Sequence, residues 1–223
     1  MHWHEPNLVR VWNAYLRLHP KPVFFDIGAN YGLHTYRLLA AGSKCYAFEP
    51  QETCIRFLET VARLNGWNVN VERCVLGAEE GSTVLYRSRD TFTSSTVPGW
   101  ISRPEDVAGE EVVRRTTLDA FCESIALSPD LIKVDVEGAE VSVITGGARC
   151  FQVNKPTLVV ESMQEHSSRD DLWQLLVPLG YKVCNTSREN ATLVDSRKDF
   201  AKIKDYDFVF TVDRELLNAL VNE

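Results

Sequence analysis

Four short apolar runs constrain this chain most, because each of them ends on an acid. Val23-Phe24-Phe25 stops at Asp26, and Cys45-Tyr46-Ala47-Phe48 stops at Glu49. Leu131 to Val134 stops at Asp135, and Pro156 to Val160 stops at Glu161. Runs this short, apolar on both faces, read as strands buried inside a parallel sheet. Between them the apolar period lengthens to that of a helix. It does so through Tyr36, Leu38 and Leu39 to Gly42, and again through Ile55, Leu58, Val61, Ala62 and Leu64 to Asn65-Gly66. A third such stretch runs from Glu140 to Gly146-Gly147. Strands alternating with helices form βαβ units, and these build a mainly parallel sheet covered by helices on both faces.

The remaining segments fit around that alternation. Residues 7–19 carry a helical pattern that stops before Pro20 and Pro22. Val69 to Val75 reads as a third strand, and Thr83 to Tyr86 and Val112 to Thr116 as two more. Between the last two lies a polar stretch, 88–109, read as a long loop of the kind that serves as a lid. Thr117 caps a short helix. Leu172 to Leu179 reads as helix, Tyr181 to Cys184 and Asp207 to Val212 as late strands, and Arg214 to Val221 as a closing helix. No repeat or linker divides the chain. The expectation is one domain, with an N-terminal helix over 1–21, a core over 22–185 and a final strand and helix over 186–223.

Composition removes several function classes. A chain of 223 residues buries about 70% of the surface its unfolded form exposes, enough for a core without metal or disulfide staples. The balance of 24 Lys+Arg against 31 Asp+Glu gives a net charge of −7 with His neutral. That sign argues against nucleic acid, which needs a basic surface to displace counterions. No apolar run nears the ~20 residues of a membrane helix. The opening Met1-His2-Trp3-His4-Glu5-Pro6 lacks the pattern of an export signal. The six cysteines are scattered without a C-x-x-C pair and read as reduced core residues. A cytoplasmic protein is expected, with no membrane partner. Self-association into a homo-oligomer is left open.

In an open α/β sheet, ligands sit beyond the carboxyl ends of the strands, where the four acids lie. The turn Asp26-Ile27-Gly28-Ala29-Asn30-Tyr31-Gly32 resembles a dinucleotide fingerprint, but Asn30 stands where the second glycine belongs. Asp26 also sets a negative charge beside the place a phosphate would take. The turn therefore disfavours an anion and favours a cationic ligand. Glu49 lies 23 residues beyond Asp26, near the ~20-residue offset of an acid that takes ribose hydroxyls. A nucleoside with a cationic, phosphate-free tail satisfies both, and S-adenosylmethionine has that composition. A nicotinamide-dependent oxidoreductase and a nucleoside-binding module without catalysis are the competing readings. The first is disfavoured by Asp26 and Asn30. The second predicts no acceptor cavity beside Asp135 and Glu161.

The stretches Phe24 to Thr35, Phe48-Glu49-Pro50, Thr117-Leu118-Asp119 and Leu131 to Glu140 together resemble the FkbM family of S-adenosylmethionine-dependent methyltransferases. The resemblance runs over about residues 22 to 185. It is most specific at Ile132-Lys133-x-Asp135-x-Glu137-Gly138-x-Glu140. It implies a class I, Rossmann-like, doubly wound fold: a seven-stranded sheet whose last strand is antiparallel, with a hairpin or loop insertion around residues 77–116. It also implies O-methylation, often of sugars or secondary metabolites. By the resemblance Asp26, Gly28, Asn30, Tyr31 and Gly32 line the methionine portion of the cofactor, Thr35 helps at the helix start, and Glu49 takes the ribose. Ser94-Ser95 match a serine pair of the family in the loop, and Asp135 borders the cofactor.

Methyl transfer to an alcohol needs an oriented acceptor and a group to accept its proton. Candidates are Asp135, Glu137, Glu161, His166 and His34. If their strands are neighbours, Asp135 and Glu161 could bind a divalent metal through oxygen ligands, or could share a proton and supply the base. Both readings stay open. Lys133 interrupts an apolar strand and is expected to reach Asp135, Glu161 or another acid, as a structural ion pair or as part of the site. Glu140 is either a cap or a functional acid. Phe92 and Trp100 in the long loop are placed to cover an acceptor. The acceptor itself is expected to be a small-molecule or sugar hydroxyl.

Overall fold

The structure, a computed structural model, describes residues 5–90, 92–163, 169–186 and 191–222. Helix α1 spans Pro6–Leu18, with Pro6 in its first turn, where a missing N–H breaks no helical bond. Strand β1 (Val23–Ile27), helix α2 (Leu33–Ala40), β2 (Lys44–Phe48), α3 (Glu52–Leu64) and β3 (Asn70–Glu72) form two successive βαβ units. Then β4 (Val75–Leu76), β5 (Gly81–Ser88) and β6 (Val107–Thr116) build a separate three-stranded sheet. Helix α4 (Leu118–Ile125), capped by Thr117 Oγ1 accepting from Ala120 N, leads into β7 (Leu131–Val134). Helices α5 (Glu140–Gly146) and α6 (Ala148–Val153) precede β8 (Thr157–Glu161). Last come α7 (Arg169–Leu176), β9 (Lys182–Asn185), β10 (Thr192–Val194), α8 (Arg197–Phe200), β11 (Asp207–Thr211) and α9 (Arg214–Asn222).

Among the described residues the main sheet runs β10-β9-β11-β8-β7-β1-β2-β3. Strands β3, β2, β1, β7 and β8 are parallel, and β11 is antiparallel to both β8 and β9. This is the class I methyltransferase arrangement, doubly wound from the β1–β7 junction. It has eight strands rather than seven. The extra one, β10, folds back antiparallel on β9. Its Thr192 and Leu193 are exposed, so three residues left no buried period to read.

The expected strand Val69 to Val75 is split. Asn70–Glu72 completes the edge of the large sheet, and Val75–Leu76 joins the small one, pairing with Arg115 and Thr116 of β6. The insertion is an antiparallel pair, as expected, but longer than the apolar residues suggested: Gly81 pairs Arg115 at one end and Ser88 pairs Val107 at the other. Of the residues in β5 and β6 only Leu85, Ser88, Val113 and Thr116 are buried, so hydrogen bonding rather than burial sets its length. No described helix is long and apolar enough to cross a membrane. All six cysteines are free and buried.

The period of two along a strand decides what reaches the site. Phe25, Ile132, Leu158 and Phe208 pack on one face with α4 to α7. Phe24, Leu131, Val159 and Val209 pack on the other with α1, α2 and α9. Residues two along from the second set share its face. Asp26, Lys133, Asp135, Glu161 and Asp207 therefore gather beneath α1 and α2.

Candidate active site

A cavity of about 500 Å³ opens beyond the carboxyl tips of β2, β1, β7 and β8, at the point where the strand order reverses. Its floor is the turn after β1. Gly28 has φ +84°, and a Cβ there would fall 1.8 Å from the Asp135 carbonyl oxygen. Only glycine lets these two strand ends meet. Asn30 has φ +48°, in the left-handed region that asparagine tolerates better than other side chains. Its Oδ1 accepts from Tyr31 N at 2.8 Å. That is the physical reason an asparagine replaces the second glycine of the fingerprint.

Glu49, at the tip of β2, is 3% exposed. Its Oε2 accepts from Asn30 N at 2.9 Å and its Oε1 from Gln51 N at 2.8 Å. Burial pushes this carboxyl up to about 7, against the pull of those backbone donors. Phe48, Cys74, Val75, Leu76 and Leu85 give the adjoining wall its apolar character.

Asp26 is turned beneath the turn rather than into the cavity. Its Oδ2 accepts from Thr35 N at 3.0 Å and Thr35 Oγ1 at 2.6 Å. It thus serves the start of α2 in place of a side-chain cap, because the N-cap is Gly32, which has none. Asp26 and Gly32, expected beside the methionine portion, stand behind the turn outside the cavity wall, and Thr35 takes the expected place at the helix start. Asp26 shares its face with Lys133, its partner in register, but its shorter side chain is taken up by Thr35 at the start of α2. Asp26 Oδ1 is buried without a hydrogen-bond partner.

The insertion roofs the cavity and is tied to two strand tips. Ser94 Oγ donates to Gln51 Oε1 at 3.1 Å, and Ser95 Oγ donates to the Glu137 carbonyl at 2.6 Å. Trp100 Nε1 donates to Glu137 Oε2 at 2.9 Å, and its indole covers Gly138, where a Cβ would lie 2.4 Å from the ring. Glu137 is held at φ +53°, an uncommon conformation for a long side chain. Burial and the neighbouring Asp135 charge push its carboxyl up to about 8. Glu140 is a turn-closing residue: its Oε1 accepts from Gly138 N at 2.9 Å. Tyr31 and Phe92 meet at the mouth with ring centroids 5.7 Å apart.

At the β7–β8 end, Lys133 Nζ lies 2.6 Å from Asp135 Oδ2, and Lys133 is 4% exposed. Burial pushes Asp135 up, but Lys133 and a hydrogen bond with Glu161 outweigh it and hold Asp135 below the usual carboxylate range. The Asp135 charge, with burial, drives Glu161 far above that range. The pair thus holds one proton, and the ammonium balances its remaining charge. A divalent metal does not fit this donor set, since Lys133 already occupies the place of a cation on Asp135. Among the described residues no group of three or more His, Cys, Asp or Glu is arranged for a metal.

Of the sequence-read candidates, Gly28, Asn30, Tyr31, Glu49, Ser94, Ser95, Lys133, Asp135, Glu137, Glu161 and His34 all line one cavity. His166 lies outside the described residues. Sequence reasoning missed Glu5, which also lines the cavity. It missed Gln51, which tethers the roof, and Asp207, which pairs in register with Glu161. Only Pro6, marking Glu5 as a helix cap, offered any local signal.

The profile of the FkbM methyltransferase domain matches residues 26–183. The chain belongs to the FkbM methyltransferase family. The cavity lies within the matched segment except for Glu5, which precedes it. Among solved structures, the fold is similar to methyltransferase FkbM from Methylobacillus flagellatus KT, with TM-score 0.56, 18% identity, and coverage of 92% of this chain and 53% of that one. This chain thus spans about half the length of that relative. Precorrin-6y C5,15-methyltransferase from Geobacter metallireducens GS-15 aligns with TM-score 0.48 and 15% identity over 93% of this chain and 88% of that one. Ribosomal protein L11 methylase from Lactobacillus delbrueckii subsp. bulgaricus aligns with TM-score 0.49 and 10% identity over 93% and 78%. No curated protein sequence matches the chain.

Proposed function

We propose that this FkbM-family protein is an S-adenosylmethionine-dependent O-methyltransferase whose acceptor is a hydroxyl of a carbohydrate or small metabolite. The observation that carries the reading is one continuous cavity spanning four strand tips, from Glu49 to the Asp135–Glu161 pair. That continuity favours a catalyst over a nucleoside-binding module, which needs no space beside Asp135 and Glu161. The Asp26 carboxyl under the turn favours a cationic cofactor over a nicotinamide dinucleotide. The net charge of −7 favours a small-molecule acceptor over nucleic acid.

When bound, the cofactor supplies a methyl group on a positively charged sulfur, already activated for displacement. Glu49 accepts the ribose hydroxyls, with its two oxygens oriented by Asn30 N and Gln51 N. The turn at Gly28 to Asn30 lets the cofactor approach the backbone, and the Asp26 carboxyl lies beneath it. Asp135 receives the acceptor's proton. An alcohol turns strongly acidic only as its oxygen bonds to carbon, so an ionised carboxylate is basic enough at that moment. Lys133 keeps Asp135 ionised until then, and protonated Glu161 donates a hydrogen bond to it. The roof at Ser94, Ser95 and Trp100 excludes water from the transfer.

The test is a thermal-shift series followed by turnover. S-adenosylhomocysteine raises the midpoint by mass action, NAD does not, and labelled S-adenosylmethionine marks members of a hydroxyl library. A midpoint shift with NAD alone would sink the reading.

A further inference from the structure

Glu5 stands at the N-cap of α1, yet its side chain makes no capping bond. It turns to the cavity wall instead, with Oε2 2.8 Å from His34 Nε2. The other nitrogen of His34, Nδ1, accepts from Trp12 Nε1 at 3.0 Å. An accepting Nδ1 carries no proton, which leaves Nε2, the nitrogen nearest Glu5, to bear one. Trp12 is fully buried and meets the imidazole edge-on. The start of α1 is fixed by Asn7 Nδ2 donating to Asp207 Oδ2 at 2.6 Å, and Asp207 sits opposite Glu161 in the sheet. Helix α1 therefore closes the acceptor end of the cavity.

The wall it completes alternates in hydrogen-bonding character. Glu5 accepts, Lys133 donates and Asp135 accepts. A hydroxyl both donates and accepts, so such a wall suits adjacent hydroxyls better than a donor-only ammonium or an acceptor-only carboxylate. We infer that Glu5 is a specificity-determining residue that receives a second hydroxyl of the acceptor, next to the one served by Asp135. His34 and Trp12 act as positioning residues behind it. The inference rests on the methyl-transfer reading above. It adds that the substrate presents a vicinal diol and that α1, outside the family-matched segment, selects which of the two hydroxyls is methylated.

The experiment uses the full chain saturated with S-adenosylhomocysteine. Methyl glucoside and its monodeoxy counterparts are titrated in while the His34 nitrogens are followed by 15N NMR. The intact diol should shift the His34 signals and bind about tenfold or more tightly than at least one deoxy form, as expected for a lost hydrogen bond to a charged group. Glu5→Gln should reduce that ratio to near one and leave S-adenosylhomocysteine affinity within about twofold. Trp12→Phe should move the ring proton between nitrogens and raise the acceptor KM with little change in kcat. Where turnover is measurable, Glu5→Asp should recover part of the diol preference that Glu5→Gln loses. Absence of any diol preference in the unmodified protein, or an unchanged preference in Glu5→Gln, overturns the inference. Failure of S-adenosylhomocysteine to bind at all instead overturns the methyl-transfer reading.

Discussion

Lys133 Nζ and Asp135 Oδ2 are 2.6 Å apart at the carboxyl end of the strand in the middle of the sheet. They are two residues apart, so the pleat puts both side chains on one face. Leu131 and Val159 fill that face just below them. The lysine balances a crowd of acids that would otherwise repel one another. Burial alone would strip its proton, but Asp135, Asp26, Glu161 and Glu5 together raise its pKa.

Lys133→Met should therefore unbalance the site rather than merely empty it. Removing one partner of a buried pair costs about 3–5 kcal/mol. Urea denaturation should show a loss of that size, and turnover should disappear. A variant as stable as the parent would show that the acids are not held by this cation.

Asp135→Asn should keep the shape of the site and remove the proton acceptor. Turnover should fall by about 10²- to 10⁴-fold, the usual contribution of a general base. Calorimetry should find S-adenosylhomocysteine affinity changed far less. Full activity would take Asp135 off the catalytic list.

Gly28→Ala meets a backbone oxygen, not a movable side chain, at 1.8 Å. The turn and the Asp135 strand end must then separate. A loss of about 3 kcal/mol in stability is expected from the clash and the positive φ, with cofactor binding abolished. Normal S-adenosylhomocysteine binding by this variant would contradict the close approach.

The cofactor-free protein should be most stable at mildly acidic pH. Burial raises Glu49 and Glu140 to about 7 and Glu137 to about 8. These groups bind protons in the folded chain at pH values where the unfolded chain has released them. Stability is therefore greatest near pH 5 and falls as pH rises through about 8. Asp135 and Glu5, whose pKa values are lowered, act in the opposite sense only below about pH 4.5. A melting temperature that climbs steadily from pH 5 to 8 would contradict these raised pKa values. S-adenosylhomocysteine binding should weaken below about pH 7, as Glu49 takes up its proton.

Much of the fold was legible because its signals are local. The runs ending at Asp26, Glu49, Asp135 and Glu161 are buried on both faces, and hydrophobic continuity marks such strands without reference to neighbours. Strand β10 and the outer half of the insertion were not legible, since exposed residues paired by backbone hydrogen bonds leave no apolar pattern. Asn30 was visible as a departure from the glycine fingerprint, and its positive φ supplies the cause. The position of Asp26 was not visible. Asp26 has the same pleat phase as Lys133, and what turns it from the cavity is its bonding to Thr35 at the start of α2, a contact nine residues on that no local pattern announces.

The sequence by itself determined the alternating strands and helices, the acids at the strand tips and the family. All of these are written in periods and motifs a few residues long. The tertiary structure decided which acids share one proton, which lysine balances them, and that a glutamate ahead of the first strand reaches the same cavity. Those outcomes depend on distances between residues up to two hundred positions apart, such as Asn7 and Asp207. Only the assembled sheet and the helix laid across its end bring such residues within hydrogen-bonding reach.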